Sequence, residues 1–162
     1  MDVSQFKLST WLMTGGAAGM VIFGLFVDWS TVEGLGISIS GGNAFDWTRG
    51  TLSWIFVVAV GVIAAGTATG AMKKIRAPWT LIMVLGSLVA TVLMTLLLLT
   101  GPDQSGVDLG RGAGLWLSYV STLVVLGGSV MEYTTTGGHL ADLTDIDKLK
   151  ESFHQDGESN PT

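Results

Sequence analysis

Residues 79–101 read WTLIMVLGSLVATVLMTLLLLTG, 23 residues without a charge. At 1.5 Å of rise per residue, a helix of this length spans roughly 30 Å, the thickness of bilayer hydrocarbon. Backbone N–H and C=O groups find no water at that depth, so such a run must satisfy them internally as a helix. A buried helix of a soluble protein would also read this way once. Here the pattern recurs at 8–27, 50–72 and 112–131, and the four uncharged runs total 86 of 162 residues. Too little polar chain remains to cover four such helices from water. Only 13% of the chain is charged, against about a quarter in soluble domains. The expected fold is an all-α membrane protein, a four-transmembrane-helix antiparallel bundle.

The domain organisation follows from the charges between the runs. Residues 1–7 form an N-terminal segment, 8–131 the bundle, and 132–162 an acidic tail. The first run is longer than the apolar part of a secretory signal, its positive flank is weak, and Asp28 follows it where a small-residue cleavage site would stand, so it is read as a retained span. Lys7, Lys73, Lys74, Arg76, Lys148 and Lys150 fall on one side of the spans, Arg49 and Arg111 on the other. The excess of cations marks the cytoplasmic side, so both termini are expected in the cytoplasm and the protein in the plasma membrane as a multi-pass chain. The six tryptophans avoid mid-span. Trp11 and Trp79 sit near the inner ends, and Trp29, Trp47, Trp54 and Trp116 near or just beyond the outer ends, where amphipathic rings anchor at the headgroups.

Helix packing is expected at small residues. Gly15 and Gly19 are spaced by four in the first span, as are Gly61 and Ala65, then Gly66 and Gly70, in the second. Such spacing lets backbones approach closely, either within one bundle, which is favoured, or across a dimer seam. The linker with Pro78 between the second and third spans is short, which makes these two antiparallel neighbours, with Pro78 in the first turn of the third. The Leu-rich third span is the expected lipid-facing helix.

The first outer loop holds an echo, Val27-Asp28-Trp29-Ser30 and Phe45-Asp46-Trp47-Thr48. Between its halves Leu35, Ile37 and Ile39 alternate with Gly36, Ser38 and Ser40, the period of an extended strand or small hairpin. This β element either caps the bundle or offers an edge on which a partner strand docks. In the tail, Leu140, Leu143, Ile146, Leu149 and Phe153 recur at helical spacing, which predicts a short cytoplasmic amphipathic helix over about 144–154. Leu35, Ile37, Ile39, Leu143, Ile146, Leu149 and Phe153 are therefore the candidate partner-docking residues.

Chemistry is scarce. The chain has no Cys, so it has no disulfide or thiolate site. Both histidines, His139 and His154, lie in the tail, which excludes a bis-His haem between the spans and a Ser-His-Asp set within them. The spans carry no ionisable residue of the kind that marks ion pathways. Their hydroxyls, among them Thr67, Ser87, Thr91, Ser118 and Thr122, bond helix carbonyls or line a modest path. Asp28, Glu33, Asp46, Asp103 and Asp108 crowd the outer face without EF-hand spacing. A net charge of -5 speaks against nucleic acid. No catalytic residue, cofactor or metal ligand is expected.

With the acid-Trp element Asp28-Trp29 closing the first span, a Gly/Ser-rich alternating loop through Gly41-Gly42 and a basic turn between the second and third spans, the chain resembles small four-span integral membrane proteins common in actinobacteria. That resemblance implies the topology and carries no catalytic residues. Trp29, Gly34 and Leu35 also resemble the first loop of claudins, whose paired loop cysteines this chain lacks. The expected function is that of a non-enzymatic accessory or scaffold subunit, bathed in lipid and bound to another membrane protein or to copies of itself. The alternative is a small oligomeric transporter, channel or lipid-binding module. An enzyme would have to use outer-rim carboxylates, chiefly Asp28 and Asp46.

Overall fold

The computed structural model describes residues 7–34, 37–72, 77–101 and 110–138. Four helices form: α1 (Leu8–Phe26), α2 (Thr48–Ala68), α3 (Trp79–Thr100) and α4 (Ala113–Thr135). Each is long and apolar enough to cross a membrane, and the chain is a multi-pass membrane protein by that measure. α1 packs on α2 and α4, and α3 packs on the same two, so sequence neighbours are neighbours in space and α4 closes the ring on α1. This is the antiparallel bundle expected. The predicted tail helix and its docking residues Leu143, Ile146, Leu149 and Phe153 lie outside the described residues, as does Leu35.

One end of the bundle carries a small antiparallel sheet. Strands β1 (Ser30–Gly34) and β2 (Ile37–Gly41) pair from Ser30 with Gly41 to Gly34 with Ile37. A two-residue strand β3 (Gly110–Arg111) pairs with β1 on its other side, giving the order β2-β1-β3. The β element thus joins both outer loops, where a single-loop element was expected. A 3-10 turn (Ala44–Asp46) then leads into α2. The opposite end, called the terminal end below, holds the start of α1 and the close of α4.

The helix boundaries differ from the uncharged runs for local reasons. α2 ends at Ala68, although no charge appears before Lys73. Gly70 adopts φ 76°, and its turn lets Gly70 N–H donate to Thr67 O and Met72 N–H to Gly66 O, closing the last carbonyls. α4 continues past Met131 to Thr135 and takes Glu132 with it, and that carboxylate finds partners in Ser9 of α1 and in Lys7 just before it. Pro78 stands at the N-cap of α3, one position before the first turn, and its carbonyl accepts from Ile82 N–H.

The interior mixes flexible apolar side chains with hydroxyls. Met13, Met20, Met83, Met94, Val57, Leu115 and Val125 are buried in the shared core. Ser53 donates to Ala90 O across the α2–α3 contact at 3.0 Å. Ser87 and Ser129 meet at 2.7 Å across the α3–α4 contact, each within reach of a carbonyl of its own helix, Val84 O and Leu126 O; with one proton apiece, one hydroxyl donates across the contact while the other donates to its own helix. Hydroxyls paired across helix contacts act as glue between them, although each such bond adds only modest stability. Ser87→Ala should therefore cost little, about 0.6 kcal/mol, since Ser129 keeps Leu126 O; a melting point within a few degrees of the parent in detergent would confirm it.

Two packing expectations need correction. Gly15 points away from the bundle, and a Cβ there would meet no atom within 4 Å. The close approach belongs to its neighbour Gly16, opposite Val125 and Ser121 of α4, together with Gly19 opposite the Ser121 hydroxyl and Gly128 opposite Leu12 and Ser9. Gly61 does pack as expected, against Ala17 of α1, but Gly66 meets only Met72 of its own chain turn and Gly70 is a helix stop. The lipid-facing expectation for α3 also fails. Half of its apolar window is buried, against 28% for α2. Met83, Ser87, Ala90, Thr91 and Met94 give α3 a continuous inward stripe that a count of glycines does not register.

Candidate functional site

The residues that carry polar chemistry gather at the two ends of the bundle. At the sheet end the Asp-Trp echo becomes a physical pair. Trp29 and Trp47 stack with ring centroids 6.1 Å apart and planes 6° from parallel. Trp29 is fully buried, and its indole N–H donates to Phe23 O at 2.9 Å, in the last turn of α1. Trp47 is buried too. These two rings are therefore core, not the headgroup anchors expected of them: the chain folds back over the bundle mouth and encloses them. Trp11 and Trp116 are half-exposed, while Trp54 is half-buried against Phe45, at 5.3 Å between centroids. Trp79 opens α3 at the terminal end. The indole N–H groups of Trp47 and Trp54 are buried without a partner among the described residues.

The carboxylates of the echo serve the loop. Asp28 accepts from the Ser40 hydroxyl at 2.6 Å, tying the exit of α1 to β2. Asp46 accepts from Asn43 N–H at 2.7 Å while Asn43 accepts from Phe45 N–H, a reciprocal cap on the 3-10 turn. Each acid is committed to a local bond, and among the described residues no three His, Asp or Glu side chains gather.

The two arginines of this end both reach α3. Arg111 donates from Nε to Leu98 O at 2.6 Å and from Nη2 to Leu99 O at 3.3 Å. Arg49 donates from Nη1 to the Thr100 hydroxyl at 3.0 Å. The C-terminus of a helix has unpaired carbonyls and a negative dipole end, so a guanidinium there is well placed on both counts. Nothing in the sequence links Arg111 to carbonyls 12 and 13 residues earlier; the fold does.

Beside Arg49 lies an open pocket of about 490 Å³, lined by Asp46, Trp47, Thr48, Arg49, Leu97 and Thr100. A second, of about 310 Å³, lies beneath the hairpin between Val32, Ile39 and Trp47. Val32 and Ile39 are register partners, so they stand side by side on one face of the hairpin, and both are exposed, Ile39 to 67%. β2 has no strand on its outer edge among the described residues.

At the terminal end Glu132 of α4 accepts from Lys7 Nζ at 3.0 Å and from the Ser9 hydroxyl, latching the start of α1 to the close of α4. A pocket of about 250 Å³ opens here, with Thr10 and Met13 of α1, Thr67 of α2, Met83 of α3 and Glu132 on its walls. Deeper in the bundle the hydroxyls expected to line a path are bonded: Thr91 to Ser87 O, Thr95 to Thr91 O, Thr122 to Tyr119 O and Ser121 to Leu117 O. Ser118 is the exception among them, buried without a partner among the described residues.

No protein-family model, curated protein or solved structure matches this chain.

Proposed function

We propose that the chain is a non-enzymatic accessory or scaffold subunit of the plasma membrane that binds another membrane protein through its sheet. One observation carries the reading: among the described residues β2 is an edge strand, with no charge, no proline and an exposed Ile39. Soluble and membrane proteins alike blunt such edges with lysine, proline or a covering segment, since an open edge recruits any extended chain. An edge that no described residue covers, beside an exposed apolar pair, suits a partner that adds a strand, with backbone bonds for affinity and Val32 and Ile39 for selectivity. The interior supports the same reading against a transport path, because among the described residues its hydroxyls, Ser118 apart, are spent on helix carbonyls and on one another. The distribution of Lys and Arg supports cytoplasmic termini, with the sheet on the far side.

The test is purification of the tagged full chain from native membranes in mild detergent, with stoichiometry by mass spectrometry. Ile39→Lys is expected to release a stoichiometric larger membrane protein while the variant melts within about 2 °C of the parent, as surface substitutions do. Co-purification unchanged by Ile39→Lys, or a homogeneous self-oligomer in place of a complex, would overturn the proposal.

A further inference from the structure

The helical phase of α2 and α3 aligns two features that the scaffold reading does not use. Arg49, Phe56 and Ile63 are spaced by seven on α2, so they share one face. On α3, Ile82, Gly86, Val89, Leu96 and Thr100 fall likewise on one face. These faces meet along the outer side of the α2–α3 contact. Near its middle lies an apolar groove of about 350 Å³, lined by Phe56, Ala59, Ile63, Ile82, Gly86 and Val89. Gly86 holds the groove open: a Cβ there would stand 3.2 Å from Val60 Cγ2. Two turns along the same seam, about 10 Å by helix rise from Phe56, Arg49 bridges to Thr100 beside the polar pocket.

The polar pocket lies where α2 begins and α3 ends, which is the level of lipid headgroups. Its lining brings one guanidinium and one carboxylate, Arg49 and Asp46, with the hydroxyls of Thr48 and Thr100. Arg49 is exposed and spends only Nη1 on Thr100 among the described residues, and Asp46 spends only one oxygen on Asn43. A guanidinium has five donors and matches a phosphate in two-point geometry. A carboxylate beside it disfavours a second negative charge and suits an ammonium.

We propose that this seam binds one glycerophospholipid with a phosphate and a primary ammonium in its headgroup, the phosphate on Arg49, the ammonium on Asp46, and an acyl chain along the groove past Gly86. The two halves of the site match the two halves of an amphiphile, at a separation the leaflet itself imposes. A lipid with a phosphate and no ammonium satisfies Arg49 and leaves Asp46 facing added negative charge, so it binds more weakly.

The experiment is native mass spectrometry of the full chain released from nanodiscs containing equal parts phosphatidylethanolamine and phosphatidylglycerol. One retained phosphatidylethanolamine per chain is expected, and Arg49→Gln should cut its retention about tenfold, the worth of one charge-assisted hydrogen bond. Arg49→Lys should recover part of it. Gly86→Leu fills the groove and leaves the headgroup pocket intact, so it should lower retention of both lipids without altering their ratio. Its helicity and monodispersity report folding independently of Arg49. Equal retention of the two lipids, or retention unchanged in both Arg49→Gln and Gly86→Leu, would overturn the proposal, as would a second protein chain cross-linked at Phe56 in place of lipid. Ile39→Lys leaves this seam untouched, so loss of the scaffold partner and loss of the lipid are separable results.

Discussion

Trp29→Ala is expected to be the most damaging truncation in the sheet-end cap, costing about 3–5 kcal/mol and lowering the melting point by roughly 10 °C. Trp29 is the largest fully buried side chain in the molecule's described part. Its ring fills the junction of α1, α2 and the hairpin, stacked on Trp47 and pressed against the backbone at Gly50. Its N–H also closes Phe23 O, one of the α1 carbonyls that the helix itself leaves unpaired. Alanine removes the ring and the bond together, and Trp47 loses its stacking partner. The backbone ties survive, since Trp29 N–H still donates to Gly42 O and Trp29 O still accepts from Gly112 N–H. The variant should thus fold and melt early instead of failing outright. Trp29→Phe keeps an aromatic ring in the stack but loses the bond, about 1 kcal/mol, and part of the buried ring volume, so it should melt between the parent and Trp29→Ala. Trp116→Ala is the control, because that ring is half-exposed and its loss should move the transition little. Thermal melts followed by circular dichroism at 222 nm in one detergent decide the matter. Equal melting points for the Trp29 and Trp116 variants would show that the stacked pair is not the keystone of this end.

The contrast between those tryptophans shows where sequence reading reaches its limit. Charge avoidance reveals the spans because hydrocarbon penalises every ion, whatever its neighbours. It marks helix ends only coarsely: Gly70 stops α2 inside an uncharged run, and Glu132 rides within α4, received by Lys7 and Ser9. A tryptophan just past a span end is equally consistent with an interfacial ring and a buried one. The choice depends on whether the following loop folds back, which composition does not encode. The Asp-Trp echo was visible in the sequence, and it foreshadows the stack, but its meaning depends on the hairpin register that brings residues 29 and 47 together. The hairpin itself was half legible. Ile37 and Ile39 give β2 its alternation, whereas β3 is two residues, Gly110 and Arg111, too short to show a period. The pocket at Arg49 and Thr100 was invisible, because it unites the start of one span with the end of the next, 51 residues apart.

A glycine in the first turn of α4 carries the second large effect. Gly114→Val is expected to disrupt the sheet end as severely as loss of Trp29, by overcrowding instead of by a cavity. A Cβ at Gly114 would stand 2.7 Å from the Val27 carbonyl carbon and 2.8 Å from Trp29 Cδ1. Backbone atoms cannot rotate out of the way as a side-chain tip can, so the start of α4 must move off the exit of α1. That motion breaks Gly114 N–H to Asp28 O and Gly112 N–H to Trp29 O, both at 2.9 Å or less, and with them the alignment of β3 on β1. Overpacking alone costs about 1–3 kcal/mol, and each strained or lost backbone bond adds about 1 kcal/mol. Even Gly114→Ala should be felt, since the first added carbon is the one that collides. Gly127→Ala on the same helix is the matched control: a Cβ there meets nothing within 4 Å, and alanine is the better helix former by about 1 kcal/mol, so that variant should be neutral or slightly stabilised. The same melts compare all three. If Gly114→Val melts with Gly127→Ala, then the approach of α4 to Val27 is looser than the geometry requires, and the sheet does not bind the two outer loops into one unit.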